Sequence, residues 1–268
     1  MPSSQRSPVR TGGLVGRGSP RAPRIYRLLL LACRAIARLL GLRLELEHGE
    51  RLPRRPDGRP AGGWIAAGIP HRIWIDPFVL ALLLPLEPRI NWLGDGRAIY
   101  RSRLRSLVFS RIGGVVPIWP SGGRQAFEQH VEAARSVIDA DAVFGLFPEV
   151  GAAVPVERAR PLSPGIAYFA LRTGAPIVPL ILGGAHELFL GRTIILSVLE
   201  PVTARELAGL GPDAPLPEPG TTEERDLAAA ITGRLEALVA GPVADVHARA
   251  EPPPGTRKRW RWLTTATH

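Results

Sequence analysis

Between residues 64 and 199 short apolar runs alternate with longer segments of helical period, and this alternation restricts the chain to few folds. The runs lie at 64–69, 89–93, 114–118, 142–147, 177–182 and 193–199, and the helical segments at 77–84, 98–111, 124–138 and 164–172. Strands separated by helices predict an α/β fold, a mostly parallel central sheet with helices on both faces. Residues 42–47 alternate apolar with charged and read as a further, half-exposed strand. In such a sheet, functional side chains collect at the carboxyl ends of the strands.

The first of those ends runs into Pro70-His71-Arg72-Ile73-Trp74-Ile75-Asp76-Pro77-Phe78. Asp76 is expected as a helix N-cap with Pro77 as the first helical residue, because proline has no N–H to lose there. His71 then lies in the loop feeding the helix. A carboxylate bonded to one ring nitrogen fixes the tautomer and leaves the other nitrogen as an acceptor. That is the layout of a general base with its orienting acid. A second strand end, Val143-Phe144-Gly145-Leu146-Phe147-Pro148-Glu149, supplies a carboxylate, and a third block follows at Gly174-Ala175-Pro176-Ile177-Val178-Pro179-Leu180.

The formal charge of +10 is carried by arginine, Lys258 being the single lysine. Arginine suits phosphates and lipid headgroups. Nucleic acid is not expected as a partner, since cations and aromatics interleave only in the terminal stretch 257–262. One cysteine, Cys33, excludes an internal disulfide and fits a reducing compartment. The histidines are scattered, so no metal site is expected. No Gly-x-Ser-x-Gly elbow supplies a serine nucleophile.

Four regions follow from composition: a disordered basic tail (1–23), an amphipathic membrane-associating helix with its strand (24–47), the α/β domain (48–245) and a basic, Trp-rich tail (246–268). Within the second, Arg24, Arg27, Arg34 and Arg38 share one side of a helix. Its apolar run is shorter than the ~20 residues of a membrane span. An in-plane helix with its arginines at the headgroups and a helix docked on the core both remain open. After a Pro-rich loop, Thr221-x-x-Glu224 predicts a capping box opening a helix to about residue 240.

Taken together, the blocks resemble the glycerolipid acyltransferases typified by 1-acyl-sn-glycerol-3-phosphate acyltransferase. The stretch from His71 to Asp76 resembles their His-x-x-x-x-Asp block. Phe147-Pro148-Glu149 resembles the start of Phe-Pro-Glu-Gly, and Ala175-Pro176-Ile177-Val178-Pro179 the final Val-Pro-Ile-Val-Pro block. The resemblance implies transfer of an acyl group from acyl-CoA or acyl carrier protein to a lipid hydroxyl, foremost 1-acylglycerol-3-phosphate. No cofactor is implied beyond that co-substrate. The same resemblance implies that His71 removes the hydroxyl proton and that Asp76 orients the ring; helix-start amides near Asp76-Pro77-Phe78 are expected to receive the oxyanion. The resemblance also implies that Glu149 holds the acceptor, with Phe147, Pro148 and Gly151 of its block beside it; Arg97 and Arg124 are the candidate cations for an acceptor phosphate. The expected place is the cytoplasmic face of a membrane, held peripherally.

The chain departs from the family at three points. Asp95 stands where a lysine is usual, Trp119-Pro120 replaces Asp-Arg, and Val150-Gly151-Ala152 replaces Gly-Thr-Arg. Each change removes a cation or donor expected around an acceptor phosphate. Three readings stay open: other arginines bind the phosphate, the acceptor is a glycolipid or amino-lipid, or the fold persists as a membrane-binding module without turnover.

Overall fold

A computed structural model of the chain describes residues 19–99, 107, 111–118, 123–151, 155 and 157–259. Seven strands, β1 (Arg43–Glu47), β2 (Trp64–Ile69), β3 (Ile90–Asp95), β4 (Val115–Ile118), β5 (Val143–Leu146), β6 (Ile177–Gly183) and β7 (Thr193–Val198), form one sheet. Their order is β1-β7-β6-β2-β5-β3-β4. Every neighbouring pair is parallel except β6 with β7. The loop joining that pair is shorter than the dozen or more residues a parallel crossover requires. The mostly parallel sheet expected from the alternation is present.

The helices are α1 (Arg24–Leu39), α2 (Asp76–Leu83), α3 (Gly96–Ile99), α4 (Gly123–Asp139), α5 (Gly165–Thr173), α6 (Ala204–Ala208) and α7 (Thr222–Ala250). Their placement follows the period-two side-chain pattern of the strands. Ile65, Ala67 and Ile69 of β2 face α4, α5 and α7, while Trp64 and Ala66 face α2 with its Val79 and Leu80. Every residue of β2 is buried, as expected of a central strand covered on both faces. Gly174 closes α5 in the left-handed conformation, φ 72°, where a side chain would be strained.

Helix α7 runs for 29 residues and is apolar and long enough to cross a membrane by length and composition. Its stripe of Ala228, Ile231, Leu235, Val239, Val243, Val246 and Ala250 is instead buried in the core against the sheet. That spacing is the signature of a helix packed on one face. The helix therefore continues well past residue 240, and the boundary expected at 245 falls inside it. The boundary expected at 47 also fails, because β1 pairs along its length with β7. The stretch 24–47 is part of the sheet domain. Most of the helix expected at 98–111, the basic tail up to residue 18 and the tryptophans of the terminal tail lie outside the described residues.

Helix α1 docks through Leu30 and Ala37, its two buried residues. Tyr26 lies under the Arg89 guanidinium at 4.2 Å, Arg27 pairs with Glu87, and Arg34 donates to the Leu82 carbonyl at 3.2 Å. Two of the four arginines expected at headgroups thus bind the protein body. Ile25, Leu28, Leu31, Ile36 and Leu39 remain exposed on the helix.

Candidate active site

Strand β2 ends at Ile69, and Pro70 and His71 lead from its carboxyl end toward α2. Asp76 is the first helical residue of α2 rather than its cap; Ile75 holds the cap position and Pro77 is the second helical residue. The shift by one residue turns the Asp76 carboxylate back over the loop. Its Oδ2 accepts from His71 Nδ1 at 2.9 Å, from the Arg72 N–H at 2.7 Å and from the Ile73 N–H at 2.9 Å. A carboxylate oxygen can only accept, so Nδ1 carries a proton, and in the neutral ring Nε2 is the bare nitrogen. The Asp76 side chain is 1% exposed and the His71 side chain 41% exposed, so the bare nitrogen stands on the open side.

The imidazole is also held by its faces. It stacks on Phe147, ring centroids 4.2 Å apart, and Phe147 stacks on Trp92 at 4.9 Å. Two glycines make room for this pile of rings. A Cβ on Gly68 would fall 2.5 Å from Phe147, and one on Gly145 would fall 2.6 Å from Trp92. Phe147, expected beside the acceptor, is thus a support for the His71 ring. Trp92, Gly68 and Gly145 escaped the sequence reading, although a glycine inside an apolar strand often marks a close approach.

Glu149 occupies a different place from the one expected. Its side chain is 1% exposed, and both oxygens are engaged: Oε2 accepts from the His71 N–H at 2.9 Å and Oε1 from the Arg160 N–H at 2.8 Å. Each such bond to a charged acceptor contributes about 1.5–3 kcal/mol. The carboxylate therefore ties the His71 loop to the segment around Arg160 and does not open toward an acceptor. Pro148 adds to the tie by accepting the Ser163 N–H at 2.7 Å, and Glu149 forms an isolated bridge with Leu162. Arg72 lies between Glu149 and the carbonyl of Arg158, its side chain 8% exposed. Burial draws this guanidinium below the usual arginine range, the charge of Glu149 opposing.

Gly151, two residues beyond Glu149, is exposed in the left-handed region at φ 88°. Arg97 is the second residue of α3, beyond β3, and its N–H donates to Asp95 Oδ1 at 2.8 Å. Arg124 is a clear correction. Its guanidinium packs against Gly220 and acts on Glu224 at the start of α7, away from the His71 loop. The helix-start amides are a second correction, because those of Asp76 and Phe78 already donate to the carbonyls of Ile73 and Ile75. The capping box at α7 is a third: Thr221 accepts the Glu224 N–H, but Glu224 turns to the Gly220 N–H and Arg172. A complete box is found at α6, between Thr203 and Glu206.

With this geometry, comparison with known proteins is informative. Among curated proteins none matches the chain. A solved structure, the 1-acyl-sn-glycerophosphate acyltransferase PlsC from Thermotoga maritima, superposes with a TM-score of 0.56 over 85% of this chain and 81% of its own, at 15% identity. That likeness is one of fold. The profile of the Acyltransferase family matches residues 47–183, just over half the chain, and includes His71, Asp76 and Glu149. The chain belongs to the acyltransferase family.

Proposed function

We propose that the protein transfers an acyl group from a thioester, acyl-CoA or acyl carrier protein, to a lipid hydroxyl, with 1-acylglycerol-3-phosphate as acceptor and phosphatidic acid as product. The observation that carries this reading is the pair His71 Nδ1 and Asp76 Oδ2, 2.9 Å apart, at the end of a central strand with Nε2 outward. The acceptor hydroxyl gives its proton to Nε2 as its oxygen forms a bond to the thioester carbon. Asp76 stabilises the resulting imidazolium. The tetrahedral oxyanion then collapses, the carbon–sulfur bond breaks, and the thiolate takes the proton from Nε2. A positioned base is worth roughly 10²–10⁴-fold in such a step. No cofactor is required besides the thioester.

A phosphate-bearing acceptor is supported by the cations that the Glu149 tie draws toward the dyad. Arg160 donates its N–H to Glu149, and its guanidinium is near enough to Arg72 to repel it. The exposed apolar side of α1 supports a peripheral seat on the membrane; the cytoplasmic face is part of the proposal. The test is acyl transfer from labelled acyl-CoA by the purified protein in detergent, with lysophosphatidic acid set against glycolipid and amino-lipid acceptors. Product from lysophosphatidic acid that disappears in His71→Ala supports the reading. Product only from an acceptor without phosphate moves the protein to another substrate, and undiminished product from His71→Ala removes the base from the mechanism.

A further inference from the structure

Behind the dyad, on the side away from Nε2, lies a small cavity lined by Pro70, Arg72, Asp76, Leu182, His186 and His247, among others. About 10 Å³ of it admits the centre of a water-sized sphere. That is room for about one water molecule, which needs two to four polar partners to be held. The walls supply them. Asp76 Oδ1 and Arg72 Nε are buried and make no hydrogen bond with the described residues, and each belongs to a residue lining the cavity. His186 completes the ring of polar groups from the loop between β6 and β7.

That loop is itself built rigidly. Arg192, 1% exposed, donates from Nε to the Gly184 carbonyl at 3.0 Å and lies over the Phe189 ring. His186 packs against His247 of α7, centroids 5.3 Å apart. Three elements thus face His186 with titratable or charged groups: the β2–α2 loop with Arg72 and Asp76, its own loop with Glu187 and Arg192, and α7 with His247 and Glu251. Burial, reinforced by Arg192 and His247, pushes His186 down to about 4. Its ring is neutral at neutral pH, with one nitrogen to donate and one to accept.

We infer that His186 is a positioning residue for the dyad, acting through one water that bridges Arg72 Nε–H, Asp76 Oδ1 and the His186 ring. The water accepts from Arg72, donates to Asp76 and shares its remaining bond with the imidazole. Asp76 is then fixed at both oxygens, Oδ2 by three N–H groups and Oδ1 by the water, so that its carboxylate plane cannot turn away from His71. His186 touches no substrate in this arrangement. The inference rests on His71 and Asp76 acting as proposed above, and its test separates the two.

The test compares His186→Phe, which keeps an aromatic ring but no polar atom, with His186→Gln, which keeps a donor and an acceptor. The first readout needs no turnover: the low-field proton resonance of His71 Nδ1–H, assigned by its loss in His71→Ala. It is expected to broaden through faster solvent exchange in His186→Phe and to stay sharp in His186→Gln. The second is acyl transfer, where His186→Phe is expected to lose about tenfold in kcat with the Michaelis constants unchanged, as for one bond to a charged group. His186→Gln is expected to retain most of the rate. Should His186→Phe not fold, His186→Met replaces it. A resonance and rate unmoved in the apolar variant overturn the inference. So does a glutamine variant as impaired as the phenylalanine one, which assigns His186 a role of shape alone. If the wild type transfers acyl groups to no acceptor, the functional proposal falls while the resonance still decides this one.

Discussion

Replacing Gly68 with alanine perturbs the proposed base without touching it. The added methyl would lie 2.5 Å from Phe147 Cε1, 2.8 Å from its Cδ1 and 3.2 Å from Leu80 Cδ1. A carbon pair needs about 3.5–4.0 Å, so something must move by about 1 Å. Gly68 sits in a central strand paired with Leu180 of β6, which resists displacement. Phe147 has Trp92 on one side, and Trp92 is itself pressed onto Gly145. The direction left to Phe147 is toward His71. Overpacking of this kind costs about 1–3 kcal/mol of stability. For a chain of this size, at about 2 °C per kcal/mol, that lowers Tm by roughly 2–6 °C.

The larger effect falls on catalysis, since a shift of about 1 Å in a reacting group costs on the order of 10²-fold. Thermal unfolding followed by circular dichroism gives the first quantity, and initial rates of acyl transfer at saturating donor and acceptor give the second. Gly68→Ala is expected to lose 10–100-fold in kcat, far beyond its loss of folded protein at 25 °C. The double variant Gly68→Ala/Phe147→Leu supplies space, so it recovers Tm yet leaves the rate low, because the ring under His71 is gone. Coupling between the two changes is the expected sign of direct contact. A Gly68→Ala protein with a wild-type kcat and a lowered Tm refutes the idea that the stack positions His71.

Asp76→Asn keeps an oxygen for the Arg72 and Ile73 N–H groups and loses the charge, so it should fold normally and lose about 10²–10⁴-fold in kcat; circular dichroism and initial rates check both. His186, held near 4 by burial, carries fewer protons folded than unfolded between pH 6.5 and 4. Stability must therefore fall as pH drops through that window, and after allowance for its partial exposure the loss is about 1–2 kcal/mol. Urea unfolding at pH 7 and pH 4.5 should show that loss in the wild type and a flatter dependence in His186→Gln; equal slopes would exclude it. Glu224, 4% exposed, pairs with Arg172 and takes the Gly220 N–H at 2.6 Å. Glu224→Ala leaves that arginine with only the half-exposed Glu128, 3.5 Å away, as a charge partner and should cost up to about 3 kcal/mol, at most roughly 6 °C in Tm, with kcat at 25 °C unchanged.

What could be read from the sequence, and what could not, divides along the distance between partners in the chain. Asp76 is five residues from His71, and the turn that brings them together is local, set by the proline after Asp76 and the helix it begins. The strands were legible for the same reason, since period and composition act within a few residues. That Glu149 faces an acceptor is what the resemblance of its Phe-Pro-Glu block implies. The Arg160 N–H closes over it, and the segment that carries it returns through the bridge of Glu149 with Leu162. Nothing in the spacing of the Phe-Pro-Glu block announces that return. Arg124 failed similarly: its place at the head of α4 was right, but the direction of its side chain depends on where α7 begins, almost a hundred residues later.

The ring stack shows what additional reasoning the sequence would have needed. Trp92, Gly145 and Ala66 lie in register across β3, β5 and β2, so the indole is laid across its glycine neighbour toward β2. Phe147, two residues beyond Gly145, emerges on the same face of the sheet and meets both Trp92 and His71. The strand order that creates this register is not the order of the strands in the chain. Yet the glycines are local facts: each interrupts an apolar strand where an alanine or valine would pair better. Given the order β3-β5-β2, Gly68 and Gly145 mark in advance where large rings must cross the sheet surface. The support under His71 is therefore encoded in residues with no side chain, and changing either of them tests it more cleanly than changing the rings themselves.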